Sequence, residues 1–220
     1  MALVDQFGGL MFITLEGIEG SGKTTQIKHA AEYFKNRGNQ CVVTREPGGT
    51  LIGRKIRSIL LDPASKDMDA KAELLLYMAD RAQHIHALLR PALSAGKTVL
   101  CDRYVDATLI YQGFARGLDI GLIKRLHELL FDDLKPDLTV LLDLPPRVGL
   151  ERAWKQLTNG QRSGAESRFE EETLAFHESV RAGYLELARL ESDRIRIIDA
   201  SPNEDQVRDQ IRKILPLMKV

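Results

Sequence analysis

The sequence predicts an α/β protein in which five parallel strands form one sheet flanked by helices. Three observations carry that prediction. Short β-rich runs alternate with longer stretches of helical period, the pattern of right-handed βαβ units. The 220 residues suffice for a single domain with a full sheet-and-helix core. A glycine-rich segment ending in Lys-Thr stands at the first strand-to-helix junction, where backbone amides and a helix dipole favour an anion.

In chain order the reading is strand 11–16, opening at Met11, then helix 23–36, directly after the glycine-rich loop. Strand 40–44 around Cys41 follows, with helices 50–61 and 68–95 behind it. Strand 98–102 around Cys101, helix 120–131, strand 137–143, helix 146–157, helix 170–190, strand 194–199 and helix 203–218 complete the domain. The strands are short apolar runs, and the helices are longer segments with apolar residues at helical spacing. Residues 1–10 precede the second methionine and are set aside as an N-terminal extension, leaving one domain over 11–220. The stretch 158–167 is rich in Gly, Ser, Asn and Gln without apolar period, so a mobile lid is expected over about 155–169.

Lys plus Arg and Asp plus Glu both number 31, so the surface as a whole does not advertise a nucleic acid or an acidic membrane as partner. Any phosphate site must therefore be local. No apolar run approaches the length that crosses a bilayer, and no signal-peptide layout opens the chain, so a cytoplasmic location is expected. Cys41 and Cys101 lie in separate strand-like runs and form neither a metal nor a disulfide pattern. The five histidines pair with no acid or cysteine at ligand spacing and are read as surface or satisfied interior groups.

Gly17-Ile18-Glu19-Gly20-Ser21-Gly22-Lys23-Thr24 satisfies G-x-x-x-x-G-K-S/T between a strand and a helix, with Thr25 next in the helix. Glycines let backbone N–H groups converge on phosphate oxygens, Lys23 adds a point charge at the β and γ oxygens, and Thr24 offers a hydroxyl to Mg²⁺. The motif in that place specifies a P-loop NTPase-type three-layer fold that binds ATP. No guanine-reading N-K-x-D run appears, which argues against a GTPase. Asp102-Arg103 ends the third strand at the carboxyl edge of the sheet, where ligands bind. Asp102 there can organise Mg²⁺, and Arg103 can clamp an acceptor phosphate. An ordinary surface Asp–Arg pair is the plain alternative.

The loop above, Thr44-Arg45-Glu46-Pro47-Gly48-Gly49-Thr50, Ala79-Asp80-Arg81, and Asp102-Arg103-Tyr104 through Tyr111-Gln112-Gly113 together resemble the thymidylate kinase family, in order and spacing, from Met11 to the last helix. The resemblance implies phosphoryl transfer from MgATP to dTMP, giving dTDP for dTTP synthesis, in a homodimer. It places Glu19 by the sugar 3′-hydroxyl and the phosphates, and Arg45, Arg57 and Arg103 around the acceptor monophosphate. Glu46 and Pro47 belong to the same acceptor segment. Tyr77 would stack on thymine where the family more often has Phe, and Arg81 would reach O4; four residues apart on a helix, they share a face. Thr108 and Gln112 would touch the base, with Ala107 where the family usually has Ser, and Tyr111 would crowd the sugar 2′ position. Arg152 would pack on adenine beside the turn Asp199-Ala200-Ser201. Gly20 stands where one branch of the family carries an arginine, so the resemblance is to the branch with its catalytic arginine in the lid, here Arg162 or Arg168. A kinase for another monophosphate and a P-loop switch without an acceptor are the rivals; the arginine-rich acceptor half has no task in the second.

Overall fold

The computed structural model describes residues 11–159 and 164–215. The sequence-predicted extension 1–10 and Arg162 lie outside those residues, as does the expected helix end beyond 215. Five strands, β1 (Phe12–Glu16), β2 (Cys41–Arg45), β3 (Thr98–Asp102), β4 (Leu138–Asp143) and β5 (Ile195–Asp199), form one sheet in the order β2-β3-β1-β4-β5. Every neighbouring pair is parallel. The predicted fold class and all five strands are present. β1 is central because all five of its residues are buried, as a strand covered on both faces requires. Even its polar Thr14 is satisfied inside, sharing a 2.8 Å hydrogen bond with Thr139 of β4.

Helices α1 (Lys23–Lys35), α2 (Leu51–Leu61), α3 (Ala70–His84) and α4 (Arg90–Ser94) cover the first half, with α5 (Val105–Thr108) and α6 (Ile120–Phe131) after β3. α7 (Pro146–Thr158), α8 (Leu174–Leu190) and α9 (Glu204–Ile214) complete the layers. Local chemistry sets several starts: Asp69 accepts from Lys71 N and Ala72 N, Thr173 from Phe176 N, and Asn203 with Gln206 closes a capping box.

Three differences from the sequence reading have physical causes. The single helix expected over 68–95 is interrupted by a π-helical turn, Ile85–Leu89, because Pro91 has no N–H to give and its ring crowds the preceding turn. The helix expected from 170 starts at Leu174, since Arg168 and Phe169 turn inward to buried positions. Helical structure also follows β3, as α5 and a π-helical segment, Leu109–Ala115. It carries Thr108, Tyr111 and Gln112 under the carboxyl edge of the sheet, where register sets Arg45 of β2 beside Asp102 of β3.

Candidate active site

A cleft of ≈ 650 Å³ opens at that edge, lined on one side by Gly20, Lys23, Thr24 and Thr25 and on the other by Arg45, Arg57, Tyr77 and Arg81. β1 ends in Glu16, and the chain turns at once into the glycine-rich loop. Gly20 has φ 71, and a Cβ there would lie 2.0 Å from the carbonyl oxygen of Gly149 in α7. No side chain fits position 20, so an arginine cannot be supplied from it. Ser21 and Ile18 are buried beneath the loop. Lys23 Nζ donates to Gly17 O at 3.0 Å, Ile18 O at 2.8 Å and Ser21 Oγ at 3.3 Å. Burial, with Arg103 nearby, pushes its ammonium down to about 8 against the pull of Asp102, Glu19 and Glu16.

Thr24 Oγ1 donates to Asp102 Oδ2 at 3.3 Å, joining the two predicted magnesium ligands. Among the described residues no group of three or more His, Cys, Asp or Glu side chains could hold a metal. One hydroxyl and one carboxylate are hard oxygen donors that suit Mg²⁺, which takes its other ligands from phosphate and water.

Glu19 joins the two halves of the cleft. Its Oε1 accepts from Arg103 Nη2 and from Tyr111 Oη, each at 2.8 Å, and its Oε2 lies 3.3 Å from His177 Nδ1. Burial opposes its ionisation, but Arg103, His177 and Lys23 outweigh burial and hold the carboxyl well below its usual range. Arg103 has φ 68, a left-handed conformation costly for a side chain of that size. Neighbouring bonds hold it: Arg103 N donates to Leu15 O at 3.0 Å, Tyr104 N to Glu16 Oε1 at 2.8 Å, and Arg103 Nη1 to Tyr184 Oη at 3.3 Å. Tyr184 Oη donates in turn to Glu16 Oε2 at 2.7 Å. Glu16 is wholly buried, and burial with Asp106 nearby raises its carboxyl to about 7.

On the acceptor side Arg81 is 1 % exposed. Its Nε donates to Glu46 Oε2 and its Nη2 to Thr108 Oγ1, both at 2.8 Å, while Nη1 is buried with no partner among the described residues. Glu46 Oε1 is bonded at 2.8 Å to His84 Nδ1, whose Nε2 meets Thr44 Oγ1 at 2.7 Å. Arg57 makes a two-pronged pair with Glu166 at 3.1 and 2.8 Å and donates to Pro47 O at 3.1 Å. Arg45 is exposed at the rim, and Tyr77, Ala107, Thr108, Tyr111 and Gln112 line the interior. Arg152 donates to Ala200 O and Ser201 O, each at 3.0 Å, so α7 and the turn after β5 meet.

Arg168 is placed otherwise than a lid cation over phosphates. It is buried, donates through Nη1 to Leu60 O at 2.9 Å and through Nη2 to Glu73 Oε2 at 2.5 Å, and does not line the cleft. The reason is Glu73, fully buried on α3, which requires a cation. Glu73, His84, Glu16 and Tyr184 are the supporting residues that the sequence reading missed. One signal was present: Glu73, Tyr77, Arg81 and His84 recur at helical spacing along one face of α3.

A family model described as thymidylate kinase matches residues 15–211. The chain belongs to the thymidylate kinase family. The thymidylate kinase of Desulfosudis oleivorans is 56% identical over 190 residues, covering 86% of this chain and 89% of that protein. That of Desulforapulum autotrophicum is 57% identical over 201 residues, covering 91% and 88%. The crystal structure of thymidylate kinase from Ehrlichia chaffeensis matches with a TM-score of 0.74 at 33% identity, covering 94% of this chain and 98% of that one. As in other thymidylate kinases by name, then, the chemistry at issue is a nucleoside-monophosphate kinase's.

Proposed function

We propose that the cleft holds ATP on the glycine-rich loop and dTMP on the arginine face, and that the γ-phosphoryl group of ATP passes in line to a dTMP phosphate oxygen, giving ADP and dTDP. The observation that carries this reading is one cleft lined both by Lys23, Thr24 and Thr25 and by Arg45, Arg57, Tyr77 and Arg81. Two phosphate-binding halves facing each other suit transfer between two nucleotides, and positioning with charge stabilisation is what such transfer needs. No covalent intermediate forms, because the dTMP oxygen is itself the nucleophile.

Loop amides and Lys23 hold the ATP phosphates, with Arg152 beside adenine. Thr24 and Asp102 hold Mg²⁺, which neutralises charge on the phosphates when bound. Arg45, Arg57 and Arg103 gather the dTMP phosphate, Tyr77 stacks on the base, and Arg81 meets O4. Thr108 and Gln112 complete the base contacts, Tyr111 closes off the 2′ side, and Glu19 takes the 3′-hydroxyl. The lid lies within residues 155–169, with Arg162 its catalytic arginine; the Arg168 guanidinium is already engaged by Glu73.

The reaction takes place in the cytoplasm, a reading supported by the finding that no described helix is long and apolar enough to cross a membrane. The enzyme acts as a homodimer through its helices, which the exposure of Leu75 on α3 and of Leu129 and Leu130 on α6 supports. A coupled assay of ADP formation over a panel of nucleoside monophosphates tests the function. dTMP should give the highest kcat/KM; ADP release indifferent to every added monophosphate would contradict it.

A further inference from the structure

Glu73 is 0 % exposed and does not line the cleft, yet Gln112, which does, rests on it. Gln112 Nε2 donates to Glu73 Oε1 at 2.8 Å, Arg168 Nη2 donates to Oε2 at 2.5 Å, and Arg116 Nε approaches Oε1 at 3.4 Å. A carboxylate facing two guanidinium groups only accepts, so the half of the Gln112 amide turned toward it must be the NH₂. The amide orientation is thereby fixed by chemistry and not by choice of fit. The remaining polar atom, Oε1, accepts from no described residue and is not among the sealed, unpartnered atoms, which leaves it to the cleft. Arg81 lines the same cleft, and its guanidinium can only donate.

We infer that Glu73, acting through Gln112, makes this a pocket for 4-keto pyrimidines that carry a proton on N3, and against 4-amino pyrimidines. The inference rests on the dTMP-kinase reading above. Thymine and uracil offer N3–H to the Gln112 carbonyl and O4 to Arg81. Cytosine presents a bare N3 to that carbonyl and an amino group to a guanidinium, so both contacts become repulsive and two polar groups lose their partners. Glu73 touches no substrate; it is a positioning residue that decides which face of the amide the base meets.

The decisive variant is Glu73→Gln, which keeps the shape but leaves one oxygen. Arg168, with donors only, takes that oxygen, so the introduced NH₂ faces Gln112 and forces its amide to invert. The cleft then meets an NH₂ that suits cytosine. The ratio of kcat/KM for dTMP over dCMP should fall on the order of tenfold, mainly through KM. The dTMP over dUMP ratio should not move, because thymine and uracil share the same edge; a merely loosened pocket would change both ratios. Gln112→Leu has no amide to invert, so adding Glu73→Gln to it should leave its dTMP over dCMP ratio unaltered.

An unchanged dTMP over dCMP ratio in a Glu73→Gln protein that still binds ATP overturns the inference, as does an equal change in both backgrounds. Should Glu73→Gln fail to fold, the unmodified protein serves. The Gln112 side-chain amide protons, assigned by their loss in Gln112→Leu, should resist solvent exchange without dTMP; exchange as fast as in a free glutamine side chain overturns it. A protein that phosphorylates no monophosphate contradicts the kinase reading instead, so the two failures are distinguishable.

Discussion

Arg81 and Glu46 meet as a buried ion pair at 2.8 Å, with the arginine 1 % and the glutamate 4 % exposed. The carboxylate takes Nε, and Nη1 is buried with no partner among the described residues. The planar guanidinium is thus held on two sides, by Glu46 and Thr108, and lines the cleft. Burial disfavours the cation, but Glu46, Tyr104 and Asp80 more than offset that and keep Arg81 charged. A lysine in its place can satisfy Glu46 but cannot also serve Thr108 and the base. Arg81→Lys should raise KM for dTMP by about 10- to 100-fold with KM for ATP nearly unchanged, as steady-state kinetics in both substrates would show.

Lys23 gives a pH signature. Its ammonium is pushed down to about 8, so the free enzyme loses this charge at a pH where ordinary lysines keep theirs. The value kcat/KM for ATP reports the free enzyme. It should hold below about pH 8 and fall as pH rises through it, and the fall in kcat should come at higher pH, because bound phosphate restores the ammonium. A profile of kcat/KM flat to pH 10 would contradict this placement of Lys23.

Arg168 is predicted to matter for stability and not for chemistry. Arg168→Ala leaves the buried Glu73 carboxylate with Gln112 Nε2 at 2.8 Å and, as its one cation among the described residues, Arg116 at 3.4 Å, and breaking such a pair costs about 3–5 kcal/mol. Denaturant unfolding should show that loss, while kcat of the folded fraction stays within about tenfold of the parent. Loss of a transition-state arginine would instead cost about 10³-fold or more.

Gly149 sits inside α7, where alanine ordinarily adds up to about 1 kcal/mol of helix stability. Here a Cβ would lie 2.5 Å from the carbonyl oxygen of Glu19 and 2.8 Å from Ile18 Cδ1. Gly149→Ala should therefore destabilise the protein and weaken ATP binding by shifting the phosphate loop. Calorimetry of ATP binding and a thermal melt would check it; a stabilised variant with unaltered affinity would refute it.

Much of this was legible along the chain, and the gaps have physical reasons. Strands buried on both faces announce themselves as apolar runs, and the phosphate loop is contiguous, so β1 to β5 and residues 17–24 could be read locally. The break in the helix over 68–95 was visible in Pro91 but was outweighed by periodicity on both sides of it. What sequence hides is pairing at a distance: Arg168 lies 95 positions from Glu73, and nothing local distinguishes a lid cation from one drawn into the core. Gly149 carries no motif, because its role exists only where α7 crosses the phosphate loop. The histidines show the same limit. His84 is a satisfied interior group as expected, yet its bond to Glu46 ties it to the base-reading arginine.

The most direct test of the account follows the phosphoryl group itself. In a single turnover with ATP labelled at the γ-phosphate, excess enzyme and dTMP, the label should appear in the β-phosphate of dTDP at the rate at which ADP forms. Label released as inorganic phosphate, or left in ATP although both nucleotides are bound, would contradict the claim that two facing halves of one cleft hold donor and acceptor for transfer.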